Sequence, residues 1–230
     1  MRRNVMRAAL PVVAAVSALA FGAANANAAV YSSSDQYASY STGGYTIYND
    51  EWGSGHGSQT LWVNSATSWG VWSQQPNTNG IKSYPNISKS VGKALNSLSY
   101  ATSSFSQTLP GTGNFESAYD VWLNGSSYEI MIWTHTQNVS PAGSPVGSVS
   151  LNGQSWTLWS GSNGSNPVYS FVLNGNENSG TVNILTMLKY LENTKGYFSN
   201  PTLSTIQYGW EITYATGENF AITNYSASAG

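Results

Sequence analysis

Two glutamates stand alone inside apolar, aromatic runs: Glu129 in Tyr128-Glu129-Ile130-Met131-Ile132-Trp133, and Glu211 in Tyr208-Gly209-Trp210-Glu211-Ile212-Thr213. A carboxylate in such surroundings is costly unless it is hydrogen-bonded, paired or used. A pair of carboxyl groups is the machinery of glycoside hydrolysis. One protonates the leaving oxygen; the other attacks the anomeric carbon or activates a water. Carboxyls about 5–5.5 Å apart give retention of configuration, and a gap of roughly 6.5–9.5 Å gives inversion. The plainer alternative is two satisfied polar residues on an exposed sheet face.

Strand alternation decides what lies beside them. Glu129, Met131 and Trp133 share one face, while Tyr128, Ile130 and Ile132 share the other, which is the one to bury. In the preceding run Ala118, Asp120 and Trp122 oppose Tyr119, Val121 and Leu123 in the same manner. Asn124-Gly125 between the runs is a strong hairpin signal, because both residues tolerate positive φ. A two-residue turn sets Asp120 opposite Glu129, with Cβ atoms roughly 4.5–5.5 Å apart. A four-residue turn moves the partner of Asp120 to Met131 and keeps both acids on one face. Either register builds an acidic patch beside Met131 and Trp133. Like charges so close do not both ionise cheaply, so Asp120 is expected to share a proton or hydrogen bond with Glu129 and tune it for nucleophilic work. Glu211, between Trp210 and Ile212, is placed for desolvation to raise its pKa, as a general acid requires. His135 falls next on the Glu129 face and reads as a hydrogen-bonding wall residue rather than a base. Asp35, Asp50, Glu116, Glu177, Glu192 and Glu218 sit in polar segments and read as solvated surface.

Composition narrows the ligand. Only 8% of the 230 residues are charged, while Tyr, Trp, Ser, Asn, Gly and Thr abound. Such a surface suits neutral polyhydroxylated ligands, whose hydroxyls need hydrogen-bonding partners and whose ring faces pack on aromatic planes. Beyond residue 28 the basic side chains are Lys82, Lys89, Lys93, Lys189 and Lys195, with no arginine. No basic stripe can neutralise a phosphate backbone, which argues against nucleic acid. His56 and His135 lack ligand-like spacing and there is no cysteine, so no metal, cofactor or disulfide is expected.

Residues 1–28 read as an export signal. Arg2, Arg3 and Arg7 precede an apolar run, and Ala26-Asn27-Ala28 offers a small-x-small cleavage site. The run is short for a membrane span and no later stretch approaches ~20 apolar residues. A secreted monomer, free of the membrane after cleavage at Ala28, is the expectation.

Residues 29–230 read as one all-β domain of many short strands, with spacing that suggests a two-sheet jelly-roll sandwich and a concave cleft. Strands are expected at 45–48, 60–63, 68–72, 98–101, 117–123, 128–134, 147–151, 155–159, 168–173, 207–214 and 220–225. From 182 to 191, Val182, Leu185, Leu188 and Leu191 recur at helical spacing with Gly196 beyond, predicting one packed α-helix. Ser32-Ser33-Ser34 reads as a connection. Trp62, Trp69, Trp72, Trp156 and Trp159 read as packing before sugar platforms. Trp52 differs, because its polar loop Asn49-Asp50-Glu51-Trp52-Gly53 cannot easily bury a large ring.

These segments together resemble the family 12 glycoside hydrolases over nearly the whole of 29–230. The resemblance is carried by the 49–53 loop, Ile81-Lys82-Ser83-Tyr84-Pro85, Ala118-Tyr119-Asp120-Val121-Trp122, Tyr128-Glu129-Ile130-Met131-Ile132-Trp133, Gly153-Gln154-Ser155-Trp156-Thr157-Leu158, Tyr169-Ser170-Phe171-Val172 and Gly209-Trp210-Glu211. It implies a retaining endo-β-1,4-glucanase acting on β-glucan, with xyloglucan a further candidate. Glu129 is then nucleophile, Glu211 acid/base and Asp120 the nucleophile's partner. It further implies that Asn49 and Trp52 bind sugar on the non-reducing side, that Met131 lines the cleft, and that Asn163 reaches substrate. The loop Ser140-Pro141-Ala142-Gly143-Ser144-Pro145 is similar to the family's cord across the cleft, which brings Pro141 to its edge. Two departures stand out: Ser34 and Ser58 replace a cysteine pair found in many relatives, and Asn-Asp-Glu replaces two asparagines and a non-acidic residue. The competing readings are a non-catalytic carbohydrate-binding module, an endo-β-1,4-xylanase of the related jelly-roll type, and a lectin-like adhesion protein.

Overall fold

Period-two alternation of apolar and polar residues turns most of the chain into strands. The computed structural model describes residues 29–230, so the export signal read at 1–28 lies outside the described residues. In chain order the strands are β1 (Tyr31–Ser33), β2 (Ser39–Thr42), β3 (Tyr45–Tyr48), β4 (Ser58–Ser65), β5 (Ser68–Gln75), β6 (Asn86–Ala94) and β7 (Ala101–Thr108). There follow β8 (Asn114–Leu123), β9 (Tyr128–Gln137), β10 (Ser144–Leu151), β11 (Gln154–Ser162), β12 (Pro167–Leu173) and β13 (Ser179–Asn183). The helix α1 (Ile184–Asn193) and the last strand, β14 (Thr202–Ala229), complete the domain.

Two sheets face each other and share β14, which bends from one into the other. Its first half pairs with β6 and β8 in a sheet ordered β2-β3-β6-β14-β8-β9-β12-β11-β10. Its second half pairs with β5 and β7 in a sheet ordered β1-β4-β5-β14-β7-β13. This is the jelly-roll sandwich expected. Between the sheets lie Trp69, Trp210, Tyr119, Tyr208 and Phe105, with ring centroids 5.1 Å apart for Trp69–Trp210 and 4.5 Å for Tyr119–Tyr208. Burial of rings of this size is the main driving force for folding here.

The helix begins two residues later than its periodicity suggests. Asn183 caps it, its side chain accepting from Thr186 N, and Ile184, Met187, Leu188 and Leu191 form the buried face. Val182 belongs instead to β13. The serine-rich start is also not a mere connection: Ser32 and Ser33 pair with Trp62 and Leu61. The strand expected at 98–101 is displaced to 101–108, after a 3₁₀ turn over Leu95–Ser97. β2, β6 and β13 lie outside the expected strands, and the two late strands are one. These strands are rich in Ser, Thr, Asn and Gly, so hydrophobic periodicity under-reports them. In β7 a neighbouring strand satisfies the buried polar group, Ser103 Oγ donating to Ser226 O at 2.7 Å.

Inward residues fix outward ones. Val121, Ile130, Ile132, Ile206, Tyr208, Trp210 and Ile212 fill the core, so the alternate positions of β8, β9 and β14 are turned to the concave outer face. Gly209 is required there, because a Cβ would lie 2.0 Å from Pro85 O where the chain before β6 presses against β14.

Candidate active site

β8 runs between β9 and β14 and sets the register of the site. Leu123 pairs with Tyr128, so Asn124, Gly125, Ser126 and Ser127 form a four-residue turn, with Ser127 N donating to Leu123 O. Asn124 and Gly125 take the positive φ values of 52° and 72° that the sequence called for. Of the two registers, this is the one placing Asp120 opposite Met131; Glu129 is opposite Trp122. On the other side of β8, Gln207 faces Asp120 and Glu211 faces Glu116. From Glu116 to Trp122 is a long step along β8, yet Glu129 and Glu211 border the same hollows.

Glu129 and Glu211 line both of two adjoining hollows, of about 410 Å³ and about 370 Å³. Trp52, Ile81 and Asn163 also border both. One hollow continues over Glu116, Met131, Trp133, Val168 and the 139–142 strap. The other continues over Asp50, Tyr84, Asp120, Trp122 and Gln207. The two carboxyls therefore sit at the middle of a trough that runs on in both directions. A third hollow, about 510 Å³ between the start of β4, the end of β5 and the middle of β14, contains no acid and has no bearing on this chemistry.

Burial is the first cause of every acid shift in the trough. It raises Glu211 to about 7, with a hydrogen bond from Glu116 working against the rise and the charge of Glu129 adding to it. Glu211 keeps an opening to the trough, yet it is packed closely enough for desolvation to dominate. Asp120 is held well above its ordinary range by burial and then by the charges of Glu129 and Glu211. Glu129 is raised by burial, and Asn163 opposes this, its Nδ2 donating to Glu129 Oε2 at 2.6 Å. Trp133 and Met131 form a small apolar floor with Ala118 and Val168, and Trp133 Nε1 lies 3.5 Å from Met131 Sδ.

The structure gathers Glu129, Glu211, Asp120, Trp52, Met131, Trp133 and Asn163 in the trough. Pro141 is in the strap between Ser140 and Ala142, which border it, but is not itself a lining residue. Two expected residues are elsewhere. Asn49 is fully buried, its Nδ2 donating to Asp35 O and its Oδ1 accepting from Gln59 Nε2. His135 is turned off the Glu129 face by a bulge at Thr134, which lies between the pairs Ala118–Trp133 and Ser117–His135. It stacks on the core residue Phe115 at 5.9 Å.

Asp50 and Glu116 were misplaced in the opposite sense, since both read as solvated surface. Alternation through the 49–53 loop sends Asn49 and Glu51 inward and Asp50 and Trp52 toward the trough. Glu51 accepts from Gln75 Nε2 at 2.9 Å in a buried polar network, while burial raises Asp50 to about 6. Glu116 is 2% exposed and borders the trough. The alternation Glu116-Ala118-Asp120 carried that signal; the polar neighbours Asn114 and Ser117 hid it.

The sequence profile of glycosyl hydrolase family 12 matches residues 43–230. A xyloglucan-specific endo-β-1,4-glucanase A from Emericella nidulans is 31% identical, covering 84% of this chain and 89% of its own. Endoglucanase S of Pectobacterium parmentieri is 27% identical, covering 94% and 92%. Among solved structures, the xyloglucanase domain of NopAA from Sinorhizobium fredii, in complex with cellobiose, superposes with a TM-score of 0.84 at 37% identity, covering 87% of this chain and 99% of that one.

Proposed function

From the premise that this chain belongs to glycosyl hydrolase family 12, we propose that it is a retaining endo-β-1,4-glucanase. It cuts internal bonds of soluble or amorphous β-glucan, xyloglucan included. The observation that carries the reading is that Glu129 and Glu211 are common to both hollows. A polymer can lie across them with sugar units on either side of the scissile bond, as internal cleavage demands. The xyloglucanase names among the relatives favour branched glucan within that class.

Glu129 attacks the anomeric carbon as its carboxylate, and Glu211 protonates the departing oxygen. Water then enters, gives its proton to Glu211 and releases Glu129, so configuration is kept. Asp120, held toward its neutral form by burial and by the charge of Glu129, tunes the nucleophile, and Asn163 holds the attacking carboxylate in aim. Trp52, Trp133 and Met131 offer ring and thioether surface to the sugar faces. The enzyme works outside the cell, as a monomer, after the leader is removed at Ala28.

The test is the viscosity and reducing-sugar release of xyloglucan, mixed-linkage β-glucan and xylan, with proton NMR of the first product anomer. A rapid viscosity drop on glucans and initial β-anomer are expected. Xylan as the preferred substrate, or initial α-anomer, overturns the reading; binding without release of ends returns it to a binding module.

A further inference from the structure

Glu116 has no part in the two-carboxyl chemistry, yet it faces Glu211 directly across the β8–β14 pair. It is 2% exposed, and its Oε1 has no donor among the conventional hydrogen-bonding groups. Among the described residues the carboxyl set directly against it is that of Glu211, its partner in the ladder and its neighbour in the lining of the trough. Two carboxylates cannot hydrogen-bond, since both only accept; the contact exists only if one of them carries a proton. Among the described residues no cation is paired with either carboxyl. Lys82, the lysine in the segment before β6, is buried with Nζ donating to Ser54 O at 3.0 Å and Asn79 O at 2.9 Å. The titratable groups facing the pair are Asp120 on β8, Glu129 on β9 and Tyr84 before β6. Tyr84 gives its hydroxyl to Ala118 O.

We propose that Glu116 is a positioning residue for Glu211, staying neutral through the whole reaction and donating its carboxyl proton to Glu211. The inference rests on Glu211 being the acid/base. In the first step Glu129 bonds to the anomeric carbon, the glycosidic C–O bond breaks, and the Glu211 proton goes to the leaving oxygen. The Glu211 carboxylate so formed is met by the Glu116 O–H. In the second step water bonds to the anomeric carbon, its proton returns to Glu211, and the bond to Glu129 breaks. The Glu116 proton is never transferred, and the pair passes from neutral to singly charged and back without two charges ever being adjacent. Burial and the Glu211 charge both push Glu116 well above its ordinary range, in keeping with a permanently protonated group.

Glu116→Gln keeps a neutral donor, so the basic limb of kcat/KM, which reports Glu211, is expected to stay within about half a pH unit. Glu116→Ala removes the donor and is expected to move that limb up by about one unit or more. Carbon-13 NMR of carboxyl-labelled wild-type enzyme, assigned with Glu116→Gln, should show Glu116 protonated across the range in which Glu211 titrates. A downward limb shift in Glu116→Gln, or a Glu116 signal that ionises before Glu211, overturns the proposal, as do limbs unmoved in both variants. Glu211→Gln is measured alongside. If it keeps wild-type hydrolysis of β-glucan, the acid/base reading itself fails. If it loses that activity while the Glu116 results go the wrong way, only the present inference does.

Discussion

Asn163 is bound at both ends of its amide, and only one end touches Glu129. Its Oδ1 accepts from Ser165 N at 2.9 Å and Asn166 N at 2.8 Å, closing an Asx turn, so Nδ2 is left to donate to Glu129 Oε2 at 2.6 Å. The loop between β11 and β12 thus fixes the amide's orientation. The bond favours the charged form of the nucleophile against the burial that opposes it.

Asn163→Ala should therefore raise the Glu129 pKa and carry the acidic limb of kcat/KM upward. Because Asn163 is itself exposed, water replaces part of the lost bond, and a shift of about one unit or less is expected. Asn163→Asp, which sets a second charge against Glu129, should shift the limb further. A pH-rate profile decides it; an unmoved acidic limb in both variants would leave Asn163 a loop residue only.

The two glutamates should separate by leaving group. Glu211→Gln should slow β-glucan hydrolysis by about 10²–10⁴-fold, the usual worth of a general acid. It should still cleave an aryl cellobioside whose phenolate needs no proton, with a burst as the glycosyl-enzyme accumulates. Glu129→Gln should be inactive on both, because no covalent intermediate forms. Equal losses on both substrates by the two variants would deny them distinct roles.

Much of this site was legible from residue type and alternation. The Asn124-Gly125 turn, the shared face of Asp120, Glu129, Met131 and Trp133, and the isolated Glu211 are short-range features, and each survived in three dimensions. What failed was non-local or depended on one residue of phase. The bulge at Thr134 inverts His135, and nothing in the 128–137 sequence announces it. In the 49–53 loop a step of one exchanges Asn49 for Asp50, and only the buried network of Gln59, Ser73, Gln75 and Glu51 shows which side is inside. Glu116 needed its partner on β14, a strand almost a hundred positions away in sequence, to be seen as buried. The serine-rich strand β7 satisfies hydroxyls across the sheet, at Ser103, Ser104 and Ser106, and like the short β1 it lacks the apolar period that would have marked its limits.

Trp52 is 48% exposed and borders both halves of the trough. Trp52→Ala should leave Tm nearly unchanged and raise KM for cello-oligosaccharides by about three- to tenfold, the scale of one lost stacking contact. Turnover at saturation should change less than KM. A fall in kcat with KM constant would place the ring in the reaction rather than in binding.

Lys82 ties two loops together from beneath, since its Nζ reaches Ser54 O on the Trp52 side and Asn79 O on the Ile81 side. Lys82→Met keeps the stem and leaves both carbonyls short of a partner. A loss of about 2 kcal/mol is expected, or roughly 4–8 °C in Tm. As both loops border the trough, KM should rise as well. Calorimetry and kinetics on one preparation check the pair; a lower Tm with wild-type KM would show that the loops hold their place without it.

The acids of the trough couple stability to pH with a sign the reverse of that of the usual acidic residue. Asp50, Glu116, Asp120, Glu129 and Glu211 are all raised in the folded protein, with burial first among the causes. The folded state thus holds protons that the unfolded chain has released. Their contribution to stability is complete below the unfolded values, about 3.9–4.3, and is lost as pH rises through the folded ones. Those are about 6 for Asp50 and about 7 for Glu211. Tm should accordingly fall between pH 5 and pH 8, by roughly 5–10 °C. Asp50→Asn and Glu211→Gln, neutral at every pH, should each flatten the decline and raise Tm at pH 8. For Glu211→Gln that gain comes with loss of catalysis, as expected where a site concentrates like charges for function. Thermal unfolding of the three proteins over this range checks it, and a wild-type Tm that climbs from pH 5 to 8 would show that the trough's acids are ionised with little strain.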